Sequence, residues 1–249
     1  MAVPYARLDA QSLADRIARS GTEAVTFHFA ARPGVCGDGE HFIRTGHNSY
    51  HGSFSGSGFA EAPCVEGPVQ VRLSLDGSRV ARVQAWVGPL RDRNARDLGA
   101  VPAAEAARYL LDVAQRGTWG SADKAIMPAV LADSAVVWPT LLAIAKSPDI
   151  RRSTRQDAMF WLSRYASGAI SGHPNDPLDD DDDSDDPDDD LKRHAVFVLS
   201  QLPNGEGIPD LLRVARSNQS RRVRSQALFW LGQSGDERAI ALFESVLKS

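Results

Sequence analysis

A dense run of carboxylates is the strongest candidate for chemistry in this sequence. Residues 176–190 contain 11 aspartates and no basic residue. Aspartates at alternate positions can supply the oxygen ligands that Ca²⁺ takes, but the Gly at position 6 and the Glu at position 12 of an EF-hand loop are missing. Because the carboxylates repel one another, we expect a solvated loop that faces a partner, with a Ca²⁺ site as the alternative. The partner-facing aspartates are expected to be Asp180, Asp182, Asp185 and Asp188.

The two cysteines, Cys36 and Cys64, flank a segment rich in Gly, Ser and His. A segment with so few large apolar residues needs another restraint, and a disulfide would contribute about 3 to 4 kcal/mol by limiting the unfolded chain. A disulfide would imply an oxidising compartment, so we expect a periplasmic or otherwise exported protein. Two free thiols in a cytoplasmic protein are the alternative.

The same segment contains His41, His47 and His51, which raises the question of a metal site. None of these residues has the close paired spacing of a structural zinc motif, so we expect the histidines to face water. Residues 52–56, Gly-Ser-Phe-Ser-Gly, have Phe where a nucleophile elbow has Ser. The sequence therefore predicts no catalytic residue, no resident cofactor and no enzymatic activity.

Basic residues recur at the starts of several predicted helices. Removing the 11 clustered aspartates from the 32 acidic residues leaves 21 against 28 basic residues, so the rest of the chain is mildly basic. Stacked helices would align the recurring bases into one ridge that docks on a protein or pairs with neighbouring carboxylates. Nucleic-acid phosphates would also suit such a ridge, but the aspartates would compete for the same bases. The ridge residues are Arg151, Arg152, Arg155, Lys192, Arg193, Arg221, Arg222 and Arg224.

Two kinds of apolar periodicity indicate an α+β protein. Residues 24–29 alternate apolar and polar side chains, and residues 68–88 predict a β-hairpin, so a small antiparallel sheet with one long loop at 33–67 is expected. A short helix is predicted within residues 10–20. Beyond residue 100, apolar residues at three- and four-residue spacing predict amphipathic helices over 104–115, 122–132, 135–146, 151–166, 189–202, 207–216, 220–233 and 236–248.

One stretch of the helical part occurs twice. Residues 138–162 and 208–231 share Pro-x-Leu-Leu, a Ser before a short break, Arg-Arg and Phe-Trp-Leu, with one extra residue in the first copy. This pattern resembles the HEAT repeat, in which Pro lies in the first helix and Val-Arg starts the second. The resemblance implies a solenoid of helix pairs. The equivalent pairs Phe160–Trp161 and Phe229–Trp230 are expected to fill the core between repeats.

Spacing of the repeats indicates that one helix is missing. Ala195 aligns with Ala227 at a separation of 32 residues, but Ala158 precedes Ala195 by 37 residues, and the first helix expected between them is absent. The aspartate segment occupies its place. We therefore expect the most distinctive surface of the protein between Ala166 and Asp190.

The chain is predicted to have two domains. Residues 1–100 would form the β-rich domain with the cysteine-bounded loop, and residues 101–249 a helical repeat domain with the Asp-rich insert at 176–190. The resemblance to HEAT repeats covers about 104–249. No apolar run approaches the roughly 18 residues of a membrane helix, and the first residues lack the layout of a signal peptide, so any signal would have been removed before numbering.

These features predict a non-catalytic scaffold or an accessory subunit that docks on another protein or protein complex, including an assembly held at a membrane by its other subunits. HEAT-like repeats also occur in chromophore lyases and base-excision glycosylases. The first alternative is therefore a lyase-type enzyme or a ligand-binding protein that uses the concave face. A calcium-responsive module built on the Asp-rich segment is the second alternative, and the sequence does not identify the partner.

Overall fold

The computed structural model describes residues 12–45, 49–52, 63–118, 120–173, 176–178, 187–217 and 219–249. Strands lie in the N-terminal part and helices follow. The strands are β1 (Ala24–Phe29), β2 (Val35–Gly37), β3 (Phe42–Thr45), β4 (Ser49–Gly52), β5 (Val65–Glu66), β6 (Val69–Asp76), β7 (Arg79–Val87) and β8 (Arg96–Ala100). The helices are α1 (Leu13–Ala18), α2 (Ala103–Arg116), α3 (Ala122–Val130), α4 (Trp138–Lys146), α5 (Arg152–Ile170), α6 (Pro187–Ser200), α7 (Ile208–Arg216), α8 (Arg221–Ser234) and α9 (Glu237–Leu247).

The first sheet has the strand order β7-β6-β1-β8. The predicted hairpin is confirmed as β6 and β7, which pair in antiparallel register from Val69 and Val87 to Asp76 and Arg79. Strand β8 was not predicted, and it pairs with β1 in parallel. Its sequence, Arg-Asp-Leu-Gly-Ala, has a single large apolar residue, so the alternation that marks a half-buried strand is missing.

A second four-stranded sheet, in the order β4-β3-β2-β5, forms within the segment predicted as a long loop at 33–67. Glycine and serine have low strand propensity, which explains why these short strands escaped prediction. The predicted disulfide is present between Cys36 in β2 and Cys64, one residue before β5. The two sheets approach closely at Gly37, where an added Cβ would lie 2.5 Å from the carbonyl oxygens of Phe42 and Val87. The disulfide therefore ties neighbouring strands together.

The eight helices predicted beyond residue 100 all form, with their ends shifted by a few residues, and α1 lies within the predicted segment 10–20. Helices α2 and α3, α4 and α5, and α7 and α8 pack as successive pairs. In the part of the chain that the structure describes, no helix has the length and apolar character needed to cross a bilayer. Buried side chains from both sides of residue 100 join one hydrophobic core, and the division into two domains there remains a prediction.

The two copies of the duplicated stretch do not stack by simple translation. Helices α5 and α8 run antiparallel, because Ser167 Oγ lies 2.6 Å from Ser225 Oγ while Phe160 meets Phe229, with ring centroids 6.2 Å apart. Phe160 and Phe229 occupy the same position in the two copies. The copies therefore pack around a local two-fold axis, and their aromatic residues fill the contact between them.

Helix α6 packs on the other side of α8, so α8 lies between α5 and α6. The two helices run parallel, because Asp190 lies near Arg222 at their starts and Phe197 meets Trp230 further along, with ring centroids 5.4 Å apart. Helix α6 thus lies at an outer edge of the helical layer, although it follows α5 in the sequence.

Candidate functional site

The predicted basic ridge is divided between two ends of the helical layer. Because α5 and α8 run antiparallel, their starting residues point to opposite ends, and the expectation of one continuous ridge is wrong. The first group, at the start of α5, comprises Arg151, Arg152 and Arg155. The second group, at the starts of α6 and α8, comprises Lys192, Arg193, Arg221, Arg222 and Arg224.

The first turn of α6 carries the last three aspartates of the acidic segment, Asp188–Asp190. The Oδ1 atom of Asp190 lies 3.6 Å from a guanidinium nitrogen of Arg193 and 3.6 Å from one of Arg222. Carboxylates also interact favourably with the positive end of the helix dipole. These interactions explain why α6 begins at Pro187, two residues before the helix predicted over 189–202, and includes the end of the aspartate run.

Burial distinguishes Asp189 from its neighbours. Its side chain is 1% exposed, and its Oδ1 atom lies 3.8 Å from Lys192 Nζ. Asp188 is exposed at the start of the same helix. Three of the predicted partner-facing aspartates, Asp180, Asp182 and Asp185, lie outside the described residues, so the partner-facing loop and the Ca²⁺ site remain predictions.

The histidines of the N-terminal part are only partly described. His41 lies in the turn between β2 and β3, and its Nδ1 atom is 2.8 Å from Asp38 Oδ2. His51 lies in β4, whereas His47 lies outside the described residues. No group of three or more His, Cys, Asp or Glu side chains that could hold a metal occurs within the described ranges.

Helix α6 exposes a stripe of apolar side chains, which we call the α6 edge and define as Leu191, Ala195, Val198 and Leu202. Leu191 is 71% exposed, Val198 49% and Leu202 40%. Their spacing of three and four residues places them along one face of a helix. This face points away from α7 and α8, on which α6 mainly packs.

Comparison with the other repeat copies shows that this exposure is unusual. Aligned on the common alanine, Leu191 corresponds to Thr154 in α5 and Val223 in α8, which are 0% and 2% exposed. Ala195 is exposed, whereas the equivalent Ala158 and Ala227 are 0% exposed. The α6 edge therefore has the composition of an inner face but no covering helix among the described residues.

The α6 edge is uncovered because the described residues lack the first helix of this repeat, which would pack on it. Helices α3, α5 and α8 are each packed against the helix that precedes them in the chain, namely α2, α4 and α7. Between Ile170 and Pro187 the described residues contain only turns. Helix α6 is thus a second helix whose own first helix is absent from the described part of the chain.

A separate cleft of about 980 Å³ lies between the two sheets, α3 and α5. Its size is that of a site for a small ligand or a short peptide segment. Aromatic side chains from β7 and α5 form walls, and charged side chains lie among them. The lining includes Glu40, His41, Phe42, Arg82, Trp86, Asp123, Lys124, Met127, Asp157, Phe160 and Trp161.

Two carboxylates of the cleft have different environments. Asp123 accepts hydrogen bonds from the hydroxyls of Ser153, at 3.2 Å, and Thr154, at 2.5 Å. Within the described part of the chain, Asp157 makes no hydrogen bond or ion pair. Burial and, secondarily, the charge of Asp123 raise the pKa of Asp157 to about 6, although the charge of Lys124 opposes the shift.

The rim of the cleft is held by the turn between β2 and β3. Burial alone would raise the pKa of Asp38, but hydrogen bonds from the backbone N–H groups of Glu40, His41 and Phe42 and from the His41 ring hold it well below its usual range. Trp86 lies on strand β7, and the guanidinium of Arg93, in the segment after β7, is 3.8 Å from the centroid of its ring. These contacts fix the positions of rim and wall side chains without a ligand.

Sequence reasoning missed the cleft because its residues come from four distant segments and form no motif. One residue of the sequence could have indicated this site. Aligned on the common alanine, Asp157 of the first copy takes the place of Gln226 in the second. A carboxylate in place of a neutral amide is a residue that packing alone does not require.

Replacing Asp157 with Asn is expected to stabilise the protein at neutral pH. The pKa of Asp157 is about 6 in the folded protein, above its ordinary value of 3.8, so folding takes up a proton between these values and stability falls as pH rises through this range. After allowance for solvent screening, we expect a gain of about 1 kcal/mol at pH 7 and none below pH 4.

Urea unfolding of the wild type and of Asp157→Asn across pH 3.5 to 8 measures this difference. The exposed Asp149 provides a control, because Asp149→Asn makes the same charge change outside the cleft. A gain that does not change with pH, or an equal gain from the control, would show that charge burial at Asp157 is not the cause.

Comparison with known families found one match, in the C-terminal helices. Residues 184–249 match the family model of HEAT repeats, and this segment includes α6, α7, α8 and α9. The match is shorter than the 104–249 range over which the sequence resembles the repeat. Comparisons with curated proteins and with solved structures gave no match. Residues 184–249 of this chain are thus similar to HEAT repeats, and the architecture of the whole is a β-rich N-terminal part followed by paired helices.

Proposed function

We propose that this protein is a non-catalytic docking protein, a scaffold or an accessory subunit, whose α6 edge binds an amphipathic helix of another protein. The observation that supports this proposal is the exposure of Leu191 and Ala195 at repeat positions that are buried in α5 and α8. HEAT repeats commonly mediate protein–protein interaction. The partner helix would take the place of the missing first helix and complete a pair, as α2 does with α3.

The aspartates beside the α6 edge further indicate the charge that the partner helix would carry. The stripe begins beside Asp188 and Asp190, and eight more aspartates lie between Asp176 and Asp186 in the sequence. Helices of a HEAT pair run antiparallel, so the C-terminal end of the bound helix would lie beside these carboxylates. Lysine or arginine at that end would pair with them and would also suit the negative end of the partner's own helix dipole.

The Cys36–Cys64 disulfide supports an exported location, because such bonds persist in oxidising compartments. We propose accordingly that the partner is a periplasmic or otherwise exported protein, or a subunit that exposes a basic amphipathic helix in that compartment. An assembly held at a membrane by its other subunits fits the same description.

Affinity purification from native extract tests this function with matched variants. The double variant Leu191→Glu/Val198→Glu places two charges on the α6 edge, and Leu90→Glu/Val136→Glu makes the same change at side chains that are 59% and 58% exposed elsewhere. We expect a partner that is retained by the wild type and the control but weakened at least 100-fold by the α6 variant, because buried anchor residues dominate binding. A partner retained equally by all three proteins would contradict the proposal.

A further inference from the structure

We propose that the cleft between the sheets, α3 and α5 binds an organic cation, an ammonium or guanidinium group with an apolar body, through Asp123 and Asp157. This site lies on different elements from the α6 edge, so the inference does not depend on the docking function. The ligand chemistry follows from three features of the cleft, which are its carboxylates, its aromatic walls and its size.

The carboxylates select for positive charge. Asp123 is already fixed by the hydroxyls of Ser153 and Thr154, and Asp157 lies on the same face of α5 as these two residues. Asp157 is half-buried and makes no hydrogen bond or ion pair within the described residues, so its charge is partly desolvated without a direct partner. A cationic group between the two carboxylates would supply the missing partner.

The other charged groups that face Asp157 do not supply that partner. Lys124 acts on it only through its charge, without an ion pair. Glu40 forms its ion pair with Arg91, with 3.0 Å between the charged atoms, and is directed to the rim. The remaining ionisable groups that line the cleft are His41, on the turn between β2 and β3, and Arg82, on β7.

Aromatic walls favour an organic cation over a metal ion. Phe160 and Trp161 line the cleft one helical turn beyond Asp157, and Trp86 lines it from β7. Aromatic faces attract weakly hydrated cations such as ammonium and guanidinium groups when these are desolvated. A hard metal ion would require several oxygen ligands. Among the described residues, Asp123 is the one other carboxylate of the cleft available beside Asp157, since Glu40 is paired with Arg91.

The volume of about 980 Å³ admits a free amine or the side chain and flanking backbone of a basic peptide. Both sources present the same cation, and two pairs of probes distinguish them. n-Pentylamine and n-pentanol differ mainly in the charged group, and the N-acetylated, C-amidated tripeptides Gly-Arg-Gly and Gly-Gln-Gly make the same comparison for a peptide. CaCl₂ tests the metal alternative.

Isothermal titration calorimetry of the full chain at pH 7.5 measures binding of each probe. We expect binding of the cationic member of at least one pair, none of its neutral counterpart, and at least tenfold weaker binding to Asp157→Asn. The control Asp149→Asn should bind as the wild type does. Tighter binding of the tripeptide would identify a basic peptide as the ligand class, and tighter binding of pentylamine a free amine.

Loss of binding in Asp157→Asn would not reflect unfolding, because this variant is expected to be the more stable protein at this pH. The inference is overturned if neither cation binds at 10 mM, a concentration that would detect a dissociation constant of about 1 mM or tighter. It is also overturned if the neutral probes bind equally, if Asp157→Asn binds unchanged, or if CaCl₂ alone binds and depends on Asp157.

Discussion

Replacing Arg32 with alanine is expected to lower the free energy of unfolding by about 3 to 5 kcal/mol. Arg32 is 9% exposed and follows β1 closely. Its Nε atom donates to the Val130 carbonyl at 2.7 Å, and its Nη2 atom donates to the Ala135 carbonyl at 2.5 Å and lies 3.2 Å from the Tyr165 hydroxyl. The side chain therefore joins the sheet to α3 and α5.

The large effect has a specific physical cause. The Val130 carbonyl belongs to the last turn of α3, where a positive charge interacts favourably with the helix dipole. Removing the guanidinium would leave two buried carbonyls and the Tyr165 hydroxyl without their donor, and each unsatisfied buried group costs about 1 to 3 kcal/mol. Burial raises the pKa of Tyr165 to about 12, so its hydroxyl stays neutral.

Urea unfolding of Arg32→Ala, followed by circular dichroism, measures the loss. Arg32→Lys keeps the charge but not the fork of donors, and it should lose about half as much. The exposed Arg108 on α2 serves as the control, and Arg108→Ala should change stability by less than about 0.5 kcal/mol. A loss at Arg32 no larger than at Arg108 would show that the guanidinium does not hold the sheet to the helices.

Removing the disulfide is expected to lower the free energy of unfolding by about 3 to 4 kcal/mol. Cys36 and Cys64 are 28 residues apart in the sequence, so the bond removes many conformations from the unfolded chain. The bond also ties β2 to β5, which has two residues, both exposed. In Cys36→Ser/Cys64→Ser, we expect β5 to detach first and the amide of Val65 to exchange faster than amides of β6.

Urea unfolding with and without dithiothreitol, together with amide exchange, measures both effects. Reductant should destabilise the wild type and leave the double serine variant unchanged, which controls for effects of the reductant itself. If both thiols of the wild type alkylate before reduction, or if reduction leaves its stability unchanged, the disulfide is contradicted. The support for export is then removed as well.

The sequence was sufficient for elements with strong periodicity. Three- and four-residue spacing located every helix from α2 to α9, strict alternation located β1 and β6, and the Asp-Gly turn after β6 located β7 as its hairpin partner. The second sheet escaped because its strands are two to four residues long, too short for a period to appear, and lie in a segment rich in glycine. Strand β8 escaped because it lies at a sheet edge and carries one large apolar residue.

Repeated sequence indicates similar units but does not define how they are arranged. The two copies predicted a stack of parallel second helices, whereas tight packing at Phe160 and Phe229 places them around a two-fold axis. That arrangement separated the bases of α5 from those of α8. The lack of a first helix before α6 in the described residues, by contrast, was expected from spacing alone, and it accounts for the exposed α6 edge.

The cleft could not be predicted, because Trp86, Asp123 and Asp157 meet only after the sheet has packed on α3 and α5. Single polar residues such as Asp157 do not stand out in a helix that carries several others. The exchange of Gln226 for Asp157 between the two copies was the one local sign, and the structure gives it a physical meaning as a half-buried carboxylate beside another carboxylate.

Site-specific photo-crosslinking from the α6 edge tests the central claim most directly. A photoreactive residue at position 198, with position 136 as the exposed control, would be activated in cells that produce the protein, and the crosslinked peptides would be sequenced. We predict that position 198, and not position 136, crosslinks to an amphipathic helix of another protein with lysine or arginine at its C-terminal end. Crosslinks from position 198 only to this chain, or to segments without that pattern, would contradict the claim.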